Sequence, residues 1–211
     1  TDTAGSGRIP AAFNNIVGLK PTKGRFSNTG LLPACKSLDC ISIFALTVAD
    51  ATAVADVMES FDVSDSYSRV NPATAPAKFS TQLKLAIPKQ LEFFGDAQSA
   101  DAFQQALTEL KNLGAELTEI DFSAFSQLAS QLYQGSWVAE RTAAVADLLE
   151  TSVQDFDPTV LEIIQKGQQY SAVDAYNAEY LKQELARDIQ QTLAQFDALV
   201  VPSSPTIHTL A

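Results

Sequence analysis

Residues 1–10 read TDTAGSGRIP and place Ser6 between two glycines. Neither neighbour has a side chain, so the backbone can turn sharply here and leave the Ser6 hydroxyl exposed. The successive N–H groups of Thr3, Ala4, Gly5 and Ser6 can point toward one oxygen, as the fixed donors of an oxyanion hole must. A Gly-Ser-Gly segment is nevertheless more often a plain tight turn. The stretch alone therefore leaves a turn and a nucleophile as alternatives.

A serine nucleophile needs a base, and the residues alone do not select one. The one histidine, His208, stands in a Pro-containing tail, so a Ser-His-Asp triad is a weak alternative. The nucleophile-elbow pattern G-x-S-x-G is not met, because a glycine precedes the serine directly. A lysine base is the remaining option. Three lysines are near in sequence, none with a distinctive spacing: Lys20, Lys23 and Lys36.

Composition narrows the class of protein. The chain has 211 residues, of which 46% are hydrophobic, enough for a sizeable globular core. A net charge of −11 argues against nucleic acid as a partner. No apolar run reaches the length of a membrane span. Two cysteines without a CxxC pattern argue against zinc and predict a reducing, cytoplasmic location.

Strand and helix patterns alternate along the chain and predict an α/β fold. Residues 9–44 read as close-packed loops and short strands rather than a helix bundle. Thr47 is a predicted N-cap with Asp50 three residues later. Strand patterns at 83–88 and 116–122 flank an amphipathic helix at 98–113, which implies a parallel pair with a right-handed crossover.

The C-terminal half is predicted to be mostly helical. A helical stretch over 123–151 is interrupted near Gly135, and Asp157-Pro158 opens another helix. A third, capped by Ser171 with Asp174, runs to about residue 196. A short strand follows at 198–201.

Several motifs together resemble the amidase signature family. They are TDTAGSGRIP at 1–10, AAF at 11–13, GLKPT at 18–22 and SLD at 37–39. Within that family, PACKSLDCISIFALT at 33–47, with FNN at 13–15, is similar to allophanate hydrolases. The resemblance implies a mixed twisted sheet core flanked by helices, incomplete in this chain. It also implies one partial amidase domain over 1–211, with a signature core at 1–61 and a substrate-binding portion at 83–211.

The resemblance implies a Ser–cis-Ser–Lys triad with Ser6 as nucleophile. The hole-forming amides fall on Thr3, Ala4, Gly5 and Ser6. The bridging serine and the lysine base are expected before Thr1, since Lys20 belongs to GLKPT and does not match the base. The chain alone is therefore expected to be inactive. No metal or cofactor is implied. The implied substrate is a small anionic amide, allophanate, and a homodimer is an expectation for the full-length enzyme.

The resemblance also matches Tyr133 and Arg141 to a tyrosine and an arginine that hold the substrate carboxylate. The planar guanidinium of an arginine can donate two parallel hydrogen bonds to a carboxylate. Eight residues along a straight helix would separate them by about 80° around the axis, so a break near Gly135 would help both to face one pocket. The helix pattern alone favours an alternative, in which Tyr133 packs on Trp137. Arg141 would then pair with Glu140 or Asp147.

Three charged residues are interpreted as anchors of the loop. Arg8 is expected to be buried against Asp2 or Asp39, as a scaffold. The two carboxylates are not read as a catalytic pair. Two competing functions stay open: another amidase, such as the glutamine-hydrolysing subunit of a tRNA amidotransferase, and a non-catalytic fragment.

Overall fold

The computed structural model describes residues 1–71 and 82–208 of an α/β protein. Its residues divide into two compact units, one from Thr1–Ala73 with Ser130–Leu181 and the other from Thr74–Ala129 with Lys182–Ala211. Residues 72–81 and 209–211 lie outside the described residues. The first of these ranges belongs to a polar connection that the sequence predicts at 62–82. The division into a signature core at 1–61 and a portion at 83–211 stays a prediction.

The N-terminal part of the first unit is a small α/β layer. Its elements are α1 (Arg8–Phe13), β1 (Val17–Leu19), β2 (Ile43–Ala45) and α2 (Val48–Met58). The two strands pair antiparallel, with Val17 opposite Ala45. Phe26, Ile43 and Ala51 form the buried core between strands and helix.

Helix α1 is one short helix in a stretch that is predicted as loops and short strands. It begins because the N–H groups of Arg8 and Ile9 both donate to the Gly5 carbonyl, at 2.9 and 2.8 Å. Ser6 therefore lies in the turn that leads into α1. The predicted cap of α2 is confirmed: the Thr47 hydroxyl accepts the Asp50 N–H at 3.1 Å.

The second unit contains the predicted parallel strands. The elements are β3 (Lys84–Pro88), α3 (Ala97–Asn112) and β4 (Glu116–Ile120). Lys84 is opposite Glu116 in the parallel β3–β4 register, so the strand–helix–strand prediction is confirmed. A last strand, β5 (Ala198–Leu199), pairs parallel with the other side of β3. The central strand β3 is consequently the most buried of the three.

The predicted helical half consists of several shorter helices. They are α4 (Ser123–Gln134), α5 (Val138–Ala144), α6 (Ala146–Thr151), α7 (Pro158–Lys166) and α8 (Ala172–Leu193). The helical conformation is interrupted between α4 and α5, at residues 135–137, which agrees with the interruption predicted near Gly135. Asp157 caps α7 by accepting the Thr159 and Val160 N–H groups at 2.9 and 3.1 Å.

Candidate active site

The turn around Ser6 exposes its hydroxyl and several backbone donors. The Ser6 side chain is exposed and has no hydrogen-bond partner among residues 1–71 and 82–208. Within the same part of the chain, the N–H groups of Thr3, Ala4 and Ser6 have no acceptor. The Gly5 N–H differs, because it donates to Asp2 Oδ1 at 2.7 Å. Three of the four amides predicted for an oxyanion hole are therefore open, and the fourth is already used.

The backbone of this turn requires glycine at position 5. Gly5 has φ +133°, in the left-handed region that L side chains rarely adopt. A Cβ there would also lie 2.8 Å from Ile9 Cδ1. The turn that presents Ser6 is thus specified by both conformation and packing.

Asp2 is the central acceptor of the turn and is fully buried. Its carboxylate accepts the N–H groups of Gly7 and Arg8 at 3.1 and 3.2 Å and two guanidinium N–H groups of Arg8 at 2.9 Å each. Burial by itself would raise the pKa of Asp2, but the hydrogen bonds from Arg8 and Gly5 outweigh it and lower the pKa to about 2. Asp2 is therefore an ionised anchor rather than a proton carrier near neutral pH.

Arg8 pairs with Asp2, one of its two expected partners. Its side chain is 48% exposed, so the expectation that Arg8 is buried is wrong. The long side chain reaches the buried carboxylate while leaving part of its length in solvent.

Asp39 connects the Ser6 loop to the turn at 33–39. Its Oδ1 accepts the Thr3 hydroxyl, and its Oδ2 accepts the Ala34 N–H at 2.9 Å. The next residue, Cys40, pairs with Asp2 through backbone bonds of 2.8 and 3.2 Å. Asp39 thus fixes the Thr3 backbone, which carries one of the open amides.

Tyr133 and Arg141 lie side by side at a cavity of about 300 Å³. The Arg141 Cζ is 4.9 Å from the centre of the Tyr133 ring, and Tyr133 is 53% exposed. The other lining residues are apolar: Pro33, Ala34, Val145, Val160, Ile163 and Ile164. The break between α4 and α5 brings the two residues together despite their unfavourable spacing on a straight helix.

Two donor atoms of the Arg141 guanidinium are unused. Its Nε and Nη2 are buried and have no hydrogen-bond partner among the described residues. The alternative pairing with Glu140 is wrong, because both Glu140 oxygens bind Ser37, at 2.6 and 2.7 Å. Sequence reasoning missed this contact, since nothing local links residues 103 positions apart.

The cysteines and nearby lysines have other contacts. Burial raises the pKa of Cys35 to about 11, with positive Arg141 acting in the opposite direction, so the thiol stays protonated near neutral pH. Lys20 Nζ donates to the Pro21 carbonyl at 2.7 Å and lies 3.5 Å from Cys40 Sγ. Lys23 Nζ donates to the Ser37 carbonyl at 3.1 Å. Both of these lysines are therefore bonded to backbone carbonyls.

Metal-binding clusters and membrane-spanning helices are both missing from the part of the chain that the structure describes. No group of three or more His, Cys, Asp or Glu residues there could hold a metal ion. No helix there combines the length and apolarity that crossing a membrane would need. His208 is exposed in the tail.

Comparisons with known proteins agree on one family. A family model described as Amidase matches residues 1–210. Urea amidolyase of Saccharomyces cerevisiae is 44% identical over 213 residues, covering 100% of this chain and 12% of its own length. One subunit of the glutamyl-tRNA(Gln) amidotransferase of Microcystis aeruginosa is 34% identical, with 98% of this chain and 48% of that protein covered.

Solved structures give the same result for the fold. Selenomethionine-substituted allophanate hydrolase of Kluyveromyces lactis is 42% identical and matches with a TM-score of 0.96. The match covers 99% of this chain and 35% of that one. The chain therefore spans about a third of that structure and less than half of the curated relatives above.

Proposed function

The chain belongs to the amidase family, and we propose that it supplies the nucleophile and the anion-binding pocket of an allophanate-hydrolysing amidase of urea degradation. The observation that carries the proposal is the pairing of two features in one unit. An exposed serine stands among unpaired backbone donors, and a buried, unpaired guanidinium faces a small cavity. The first suits a developing oxyanion, and the second suits a carboxylate.

In the proposed reaction, Ser6 Oγ attacks the carboxamide carbon of allophanate. The Thr3, Ala4 and Ser6 amides are proposed to hold the oxyanion, whereas Gly5 is committed to Asp2. Ammonia leaves, giving a serine ester of the N-carboxylated carbamoyl group. Water then hydrolyses this ester and releases N-carboxycarbamate, which decomposes to carbon dioxide and ammonia.

The base of the reaction is proposed to come from outside residues 1–211. The resemblance assigns that role to a lysine acting through a cis-serine, and Lys20 is bonded elsewhere. We propose that the natural full-length polypeptide carrying these residues contains both groups. The two free cysteines, Cys35 and Cys40, suit a reducing cytoplasm, and a homodimer of the full-length enzyme belongs to the same proposal.

Selection of allophanate is proposed to rest on Tyr133 and Arg141. Allophanate carries one carboxylate, and the unpaired Nε and Nη2 of Arg141 can donate to its two oxygens. The Tyr133 ring covers the guanidinium and limits the directions from which an anion can approach. A neutral amide would gain nothing from this charge.

Ammonia release by the full-length polypeptide tests the proposal. We expect release from allophanate and not from glutamine, the substrate class of the amidotransferase alternative. Ser6→Ala should abolish release, whereas Ser126→Ala, at an exposed serine on α4, should leave it unchanged. A fluorophosphonate probe should label the wild type at Ser6. Ammonia release that persists in Ser6→Ala would remove Ser6 from the mechanism, and a wild type that neither reacts with the probe nor releases ammonia would support a non-catalytic role.

A further inference from the structure

Glu140 is next to Arg141 on α5 but is bonded to a distant residue. Its Oε1 accepts the Ser37 N–H at 2.6 Å, and its Oε2 accepts the Ser37 hydroxyl at 2.7 Å. Both bonds are charge-assisted and partly shielded from water, which makes them stronger than ordinary surface contacts. Both carboxylate oxygens are therefore turned toward the turn at 33–39 instead of toward the arginine.

This turn is tight and is shared with the Ser6 loop. The Cys35 carbonyl accepts the N–H groups of Leu38 and Asp39 at 2.8 Å each, which closes the turn around Ser37. Asp39 in turn accepts the Thr3 hydroxyl. Glu140 thus holds the turn at 33–39, and Asp39 of that turn binds the side chain of Thr3, whose N–H is one of the unpaired amides near Ser6.

Glu140 does not neutralise the charge of Arg141. The two side chains are adjacent on one helix and therefore point in different directions, with both Glu140 oxygens on Ser37. Arg141 Nε and Nη2 are buried and have no acceptor among the described residues. The positive charge is then available to an incoming anion.

We propose that Glu140 is a positioning residue, which holds α5 on the turn at 33–39 and so sets the spacing between the Arg141 pocket and Ser6. This inference rests on the proposed function, because it assumes that one substrate bridges the two places. A substrate held at both ends should depend on that spacing, whereas an amide that does not use Arg141 should depend on it little.

Two stable amides distinguish these cases in the full-length polypeptide. Malonamate replaces the central nitrogen of allophanate by carbon and keeps the carboxylate; malonamide is its neutral counterpart. We expect Glu140→Ala to lower kcat/KM for malonamate about tenfold or more, as loss of two charge-assisted hydrogen bonds would. For malonamide the change should stay below about threefold, within what indirect effects cause.

Three matched variants distinguish a positioning role of Glu140 from a general loss of stability. Glu140→Gln can still accept the Ser37 N–H and donate to its hydroxyl, so it should retain malonamate activity within about threefold. Ser37→Ala should have an intermediate effect, and adding it to Glu140→Ala should change nothing further. Glu162→Ala removes an exposed glutamate paired with Lys166 and should match the wild type.

The outcomes distinguish failure of the positioning role of Glu140 from failure of the proposed function. Equal losses on both amides, a Gln variant as impaired as Ala, or additive effects of Ser37→Ala and Glu140→Ala would each overturn the positioning role. If Glu140→Ala does not fold, the Gln and Ser37 variants still give the decision. A wild type without Ser6-dependent hydrolysis of allophanate or malonamate overturns the proposed function and this inference together.

Discussion

Arg8 donates two hydrogen bonds to the carboxylate of Asp2, from Nε to Oδ2 and from Nη2 to Oδ1, each 2.9 Å long. The same carboxylate accepts the N–H groups of Gly5 and Gly7, the residues on either side of Ser6. One buried charge therefore holds both sides of the turn that carries Ser6. The geometry of Ser6 depends on a residue that does not take part in the proposed chemistry.

Asp2→Asn should destabilise the protein. An amide has a single acceptor oxygen, so Arg8 loses one of its two hydrogen bonds and at least one backbone N–H loses its acceptor. Leaving a buried hydrogen-bonding group without its partner costs about 1–3 kcal/mol. Urea denaturation should show this loss for Asp2→Asn but not for Asp101→Asn, at an exposed aspartate on α3. Equal urea midpoints for the two variants would contradict the role of Asp2.

The stabilisation by Asp2 should disappear in acid. Its pKa is lowered from 3.8 in the ordinary group to about 2 in the folded protein, so its contribution is complete above about pH 4. The contribution is lost as the pH falls through about 2, and the shift corresponds to a change on the order of 2 kcal/mol. The difference in free energy of unfolding between wild type and Asp2→Asn should be constant from pH 6 to about 4 and shrink below that. Other acidic groups titrate in both proteins and cancel, so a constant difference down to pH 2 would exclude this explanation.

Much of the fold could be predicted because its signals are local. The Thr47 and Asp157 caps, the helix break near Gly135 and the parallel β3–β4 pair all follow from residues close in sequence. The short helix α1 could not, since it starts on the Gly5 carbonyl after a turn with positive φ. That conformation is stabilised by Asp2 and Ile9 packing, which no periodicity reveals.

The candidate site, too, could be predicted only where its residues are close in sequence. Ser6 and its amides are consecutive, so the sequence could point to them together. The hydrogen bond from the Gly5 N–H to Asp2 is local but depends on the turn geometry, whereas the contact of Glu140 with Ser37 is tertiary. The helix pattern offers Glu140 or Asp147 as partners of Arg141, and the pairing with Glu140 is wrong because Ser37 holds both oxygens of that carboxylate.

Arg141→Ala should impair an anionic substrate selectively. The guanidinium has two buried donors that are unpaired among the described residues and can bind a carboxylate, and losing such a charged contact lowers affinity about 10-fold to 100-fold. We expect KM for malonamate to rise by that factor, with little change for malonamide. Arg141→Lys should recover only part of the loss, because an ammonium lacks the planar fork.

Steady-state kinetics of the full-length polypeptide measure this selectivity. Arg187→Ala, at an exposed arginine on α8, provides the control and should leave both substrates unaffected. Equal effects of Arg141→Ala on malonamate and malonamide would remove Arg141 from the binding site.

Gly7→Ala should disturb the turn that carries Ser6, because position 7 directly follows the serine. A Cβ at position 7 would lie 2.6 Å from Ser42 Cβ and 3.1 Å from Asp2 Cβ, so the turn or Ser42 must move. Overpacking of this kind costs about 1–3 kcal/mol. We expect a lower melting temperature and slower labelling of Ser6 by a fluorophosphonate probe in the full-length polypeptide.

A second substitution identifies the cause of that effect. Ser42→Gly removes the clashing atoms, and the Ser42 hydroxyl is buried without a hydrogen-bond partner among the described residues, so no bond to that part of the chain is lost. The double variant should therefore melt above Gly7→Ala and label faster than it. The Ser42→Gly single variant gives the baseline for the added glycine. If the double variant were no better than Gly7→Ala, the loss would come from the backbone at position 7 and not from its close approach to Ser42.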